Sequence, residues 1–177
     1  CLSTRRVHKH FCMDKFEYPN IEGQYPVVGM TYYEAKVLAS QAGKRLCTKD
    51  EFNFACEGPD VHPYGYGTGY RRDSNICNID KPWKDYTKYH RSTWNDHDGG
   101  LNQSMRADSN SLCKSVFGVY SLNGNVDEIL DSENNENVVL SSGYWGPIRA
   151  RCRPVTDSHN KTFSFYQTST RFCKDIK

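Results

Sequence analysis

No stretch of the 177 residues approaches the ~18 consecutive apolar positions that cross a bilayer, and hydrophobic residues supply only 37% of the chain. A transmembrane helix is therefore not expected. Charge of one sign is missing as a block: 23 Lys and Arg stand against 21 Asp and Glu, a net of +2 scattered along the sequence. That excludes the one-faced basic footprint of a nucleic-acid binder. No two cysteines form a C-x-x-C pair, so neither a zinc ribbon nor a thioredoxin-type centre is expected. His8, His10, His62, His90, His97 and His159 are dispersed, with no H-x-x-x-H on an expected helix, and no G-x-S-x-G elbow is present. What the chain does have is rings and sulfur. Aromatic residues reach 13%, with 12 Tyr, and eight cysteines stand singly at positions 1, 12, 47, 56, 77, 113, 152 and 173. An even number of isolated cysteines reads as a disulfide framework and an oxidising, extracytoplasmic compartment. The opening CLSTRRVHKHFC lacks the apolar core of a secretory leader, which points to a mature or trimmed form. Cys1 suits either the lipidated residue of a bacterial lipoprotein or a mere boundary of the chain.

The length suits one domain spanning 1–177. Residues 11–18 read as a strand closed by Pro19-Asn20. Thr31 with Glu34, and Thr48 with Glu51, form capping boxes that open two helices. The first spans about 32–42, with Ala35, Leu38, Ala39 and Ala42 on one face and Gly43 as its stop. The second carries Phe52, Ala55 and Cys56 and ends at Gly58-Pro59. From Tyr64 to Asn110 the periodicity vanishes among Gly, Asn, Asp and Ser, which predicts a long ordered loop that something must pin. Cys77 and Cys113 lie near its ends, and loop closure favours their pairing. Short strands are expected at 116–121, 138–145, 148–153 and 165–173, giving an α+β class with little regular structure.

Four segments then line up with one family: AGKRLCTKDEFNFACEGP (42–59), Pro63-Tyr64-Gly65, FGVYSLNGNVDEI (117–129) and SSGYWGPIRARCRP (141–154). In this order they resemble the signatures of the formylglycine-generating enzyme (sulfatase-modifying factor) family. The resemblance implies a variant of the C-type-lectin fold, with two helices, short twisted sheets, and loops held by disulfides and calcium. It also implies that Cys56 pairs with Cys152. A second family bridge, from the first helix to the C-terminal segment, falls here on Ala39 and Phe172 and is lost as a unit, which leaves Cys173 to pair with Cys12 or Cys47. Asn125 and Glu128 of Gly124-Asn125-Val126-Asp127-Glu128 match positions that ligate calcium in the family, and Asn78 matches half of a second calcium site. A structural turn held by hydrogen bonds is the alternative at Asn125 and Glu128, and Asp96-x-Asp98-Gly99 reads as a solvated turn. The family's catalytic cysteine pair, which holds copper, has no counterpart: the corresponding interval is only Trp145, Gly146, Pro147 and Ile148. No copper is expected.

The densest chemistry lies beside that interval. Tyr144 and Trp145 precede Arg149, Arg151 and Arg153, which on a strand would place three guanidiniums on one face. With His159 they make a candidate ligand-binding surface for an anionic peptide, a glycan or an envelope protein. The alternative pairs the arginines with internal acids and buries Trp145. Three functions compete: a non-catalytic extracytoplasmic binding domain (periplasmic, surface-anchored or secreted), a metal-dependent oxidase-type enzyme of the family, and a structural module of a cell-envelope assembly. The first is preferred because the copper ligands are missing.

Overall fold

A computed structural model describes residues 1–4, 9–67, 70–144 and 148–176. Its elements run β1 (Leu2–Thr4), β2 (Lys9–Met13), α1 (Tyr32–Gln41), β3 (Arg45–Leu46), α2 (Lys49–Glu57), β4 (Asp127–Leu130), β5 (Asn137–Ser142), β6 (Val155–Asn160), β7 (Thr168–Ser169) and β8 (Phe172–Asp175), with single 3-10 turns at Tyr86–Lys88 and Arg91–Thr93. This is the expected α+β class with two helices and short strands.

Both helices begin where the capping boxes put them. The Thr31 hydroxyl accepts the Glu34 N–H at 3.2 Å while the Glu34 carboxylate accepts the Thr31 N–H at 2.7 Å, and Thr48 with Glu51 repeats this at 3.3 and 2.9 Å. Ala35 and Ala39 of α1 are buried and Leu38 partly so; Ala42 is the cap and lies exposed. α2 buries Phe52, Phe54, Ala55 and Cys56 in the larger core cluster, with Phe11, Leu122, Leu130 and Cys173.

Two four-stranded sheets organise the strands, in orders β1-β2-β8-β3 and β6-β5-β4-β7. The first is antiparallel throughout; in the second only β4 and β7 run parallel. β8 is the hinge between termini and centre: Met13 and Arg45 both face Cys173 across it.

The strand expectations need correction. Segment 148–153 is turn, because its amides bond locally and to a loop rather than to a ladder: Arg151 N–H to the Ile148 carbonyl at 3.3 Å, Cys152 N–H to the Pro63 carbonyl at 3.0 Å. The strand expected at 116–121 shrinks to one bridge, Lys114 to Tyr120. β4, which begins in the Gly-Asn-Val-Asp-Glu segment, was not expected as a strand and is one of the two inner strands of its sheet.

All eight cysteines pair, as Cys1–Cys12, Cys47–Cys173, Cys56–Cys152 and Cys77–Cys113. Cys77–Cys113 pins the long loop as loop closure favoured. Of the two partners open to Cys173, Cys47 takes it, since β3 and β8 are neighbours. Ala39 and Phe172, the vacated bridge positions, pack in the same core cluster. Cys1 pairs with Cys12 across β1 and β2.

Candidate ligand cleft and the buried ion network

The Gly124–Glu128 segment enters β4 through a left-handed turn, with φ of +88° at Gly124 and +64° at Asn125. A Cβ on Gly124 would lie 2.3 Å from the Asn78 carbonyl oxygen, so only glycine allows this approach. It brings Asn78 against Asn125. The Asn125 amide oxygen accepts from Asn78 Nδ2 at 2.9 Å and from the Met105 N–H at 2.7 Å, while its Nδ2 donates to Glu17 Oε1 at 3.0 Å. Glu128, fully buried, takes two parallel bonds from Arg171: Nε to Oε2 at 2.7 Å and Nη2 to Oε1 at 2.8 Å. Arg171 also donates to the Tyr120 carbonyl at 2.9 Å and lies 4.0 Å from Glu17.

These residues do not fit calcium. Both Glu128 oxygens face a guanidinium, the Asn125 oxygen is filled by N–H donors, and Asn78 donates its nitrogen to Gln103 and Asn125. Two buried oxygens lack donors, Glu17 Oε2 and Asn78 Oδ1, far short of the six to eight ligands calcium takes. Among the described residues no group of three or more His, Cys, Asp or Glu is placed to hold a metal ion. Arg171 is the cation here. Burial raises the Glu17 carboxyl to about 7; Arg171 opposes this and Glu128 adds to it. Glu128 is raised by burial as well, with Arg171 pulling it back.

The arginine row divides. Arg149 points inward, its Nη2 2.6 Å from the buried Asp127 carboxylate. Gly143 lies directly over Asp127, where a Cβ would sit 2.0 Å from Oδ1. Tyr144 is buried with Leu101 and Tyr166, so it belongs to the core and not to a recognition face. Trp145 lies outside the described residues. His159, on β6, stacks on Phe163 at 3.8 Å between ring centroids and does not line the cleft that Arg151 and Arg153 border. Arg153 clasps the buried Glu57 carboxylate through Nε and Nη2. Arg151 is exposed and has no partner among the described residues. It opens with Arg153 onto a cleft of about 460 Å³, walled by Val61, Pro63, Tyr64 and Tyr70.

The cleft is held by a residue not singled out from sequence, Asn123. Its amide oxygen accepts the Gly65 N–H at 2.7 Å and its nitrogen donates to the Ala150 carbonyl at 2.9 Å, tying both walls together. The only signal was its place in the Leu-Asn-Gly-Asn string, beside the asparagine read as a ligand.

The family model of the sulfatase-modifying factor enzyme 1-like domain matches residues 7–169. The chain belongs to this family. Among solved structures, PvdO from Pseudomonas aeruginosa superposes with a TM-score of 0.62 at 16% identity, covering 85% of this chain and 62% of that one. The chain therefore spans less than two-thirds of PvdO. CarF follows with 0.59 at 14% identity over 88% and 69%, and Treponema denticola variable protein 1 with 0.62 at 10% over 87% and 72%. At such identities the likeness is one of fold. No curated protein matches the chain in sequence.

None of the chain's cysteines is free, and the interval where the resemblance places catalytic cysteines contains none. A copper–thiolate site does not fit these residues, because a disulfide sulfur is not a thiolate ligand. Cys152 contributes to the cleft wall, but its sulfur is bridged to Cys56.

Proposed function

We propose that this domain is a non-catalytic, extracytoplasmic binding module that takes an anionic peptide in the Arg151 cleft. The observation that carries the reading is Arg151 itself: an exposed guanidinium without a partner among the described residues, at the mouth of a concave site. Arg153 lends a second positive charge, already half-used by Glu57. The apolar wall of Val61, Pro63, Tyr64 and Tyr70 suits a side chain next to a carboxylate, and the planar fork of Arg suits the carboxylate. Four disulfides support an oxidising compartment, and among the described residues no helix is long and apolar enough to cross a membrane.

The test uses purified protein and an acetylated Glu-Glu-Phe peptide in calorimetry. Binding that weakens as salt rises and drops by about tenfold in Arg151→Glu supports the reading. Absent binding, or binding indifferent to Arg151→Glu, removes it. Thiol titration under denaturing, non-reducing conditions should find close to zero thiols; two or more per chain, with stoichiometric copper, would return the enzyme reading.

A further inference from the structure

Between Lys81 and Asn95 the loop carries four cations, Lys81, Lys84, Lys88 and Arg91, against one anion, Asp85. That net of +3 in 15 residues exceeds the +2 of the entire chain. The same segment carries Trp83, Tyr86, Tyr89 and Trp94, and none of these lines the Arg151 cleft. Charge and rings thus coincide at a second place.

The rings form a continuous ridge. Trp83 meets Tyr86 at 6.2 Å, Tyr86 meets Trp94 at 5.7 Å and Phe165 at 6.1 Å, and Trp94 meets Phe165 at 5.4 Å, all edge to face. Phe165 continues to Phe163 at 5.9 Å, which carries His159. The ridge is anchored beneath: Tyr89, Trp94 and Phe165 pack on the buried cluster of Leu101, Tyr144 and Tyr166. Its backbone is set by two capped 3-10 turns, with Asp85 accepting from the Thr87 N–H and His90 from the Ser92 N–H. The outer end is open to solvent, Trp83 being 56% and Tyr86 42% exposed. Such rigid, exposed aromatic surface is what binding sites use for low-entropy contact.

Three cations border it. Lys84 is held by the Gly100 carbonyl at 2.9 Å, Arg91 lies over Trp94 at 5.8 Å, and the largely exposed Lys88 touches Asp85 only at 3.8 Å. The ridge itself contains no aliphatic side chain, and its gaps carry Thr87, Ser92 and Thr93. Ring faces match the C–H faces of pyranoses, hydroxyls match sugar hydroxyls, and ammonium and guanidinium groups match carboxylates. A hydrophobic protein partner would instead call for aliphatic sockets.

We propose that the Trp83–Tyr86–Trp94–Phe165 ridge, with Lys88 and Arg91, is a binding platform for an acidic glycan, a uronate-type oligosaccharide. It is independent of the Arg151 cleft. The experiment measures calorimetric binding of hexagalacturonate, neutral cellohexaose and hexaglutamate to the folded protein, to Trp83→Ala, to Lys88→Glu and to Arg151→Glu. Hexagalacturonate should bind, more weakly as salt rises, and lose about tenfold in Trp83→Ala and in Lys88→Glu, while Arg151→Glu leaves it unchanged. Thermal melting of Trp83→Ala should match the parent, since Trp83 is mostly exposed. The platform is overturned by any of four results: no binding at millimolar hexagalacturonate, equal or tighter binding of hexaglutamate, equal binding of cellohexaose, or loss confined to Arg151→Glu. Only the last of these would transfer the glycan to the cleft.

Discussion

Arg171 grips Glu128 through two bonds of 2.7 and 2.8 Å where both side chains are fully buried. The pair fastens β4 to the start of β8's segment, joining the two sheets, and it stands where the family resemblance called for a bound cation. A guanidinium delivered by the chain holds the turn in place of an ion from solution.

Replacing calcium by chelator should therefore leave thermal melting unchanged, whereas Arg171→Met should lower stability by about 3–5 kcal/mol, because Glu128 is left buried and uncompensated. Urea denaturation of the variant checks the second outcome. A rise of several degrees in Tm on adding millimolar calcium to ion-free protein would contradict the first.

Glu17 predicts a pH dependence. Its folded-state carboxyl is pushed up to about 7 from an ordinary 4.5, so the folded chain keeps a proton that the unfolded chain releases. Stability from this group should be unaffected below about pH 4.5 and should fall as pH rises toward 7. Glu17→Gln keeps the acceptor for Asn125 and removes the ionisation. The variant should melt a few degrees above the parent at pH 8 and converge with it near pH 4.

Arg149 and Arg151 should separate cleanly. Arg149→Ala leaves the Asp127 carboxylate buried without its cation and should lower stability by about 3 kcal/mol, read by urea denaturation. Arg151→Ala removes an exposed guanidinium and should change stability by less than about 0.5 kcal/mol while weakening peptide binding. Equal melting of the two variants would mean that the row is one exposed face after all.

Local signals in the chain were enough to define both helices, since a capping box satisfies orphan N–H groups within four residues and needs nothing distant. The family and the Cys56–Cys152 bridge were legible because the motifs carry residue type and order, and loop closure favoured Cys77–Cys113; the partner of Cys173 was left open between Cys12 and Cys47, and Cys1–Cys12 was decided only by the pairing of β1 with β2. Strand 148–153 was not: alternating arginines look like a strand face, but the Arg151 amide finds its partner within a turn and the Cys152 amide finds the Pro63 carbonyl, nearly 90 residues away in sequence. The role of each arginine was likewise decided only by folding, which sets Asp127 against Arg149, Glu57 against Arg153, and nothing described against Arg151. Most of all, the sequence by itself determined that Asn125 and Glu128 are oxygen donors at a ligand-like spacing. Which cation they answer to depended on Arg171, 43 residues beyond Glu128, and only the parallel pairing of β7 with β4, which sets Ser169 opposite Glu128, brings that charge within reach.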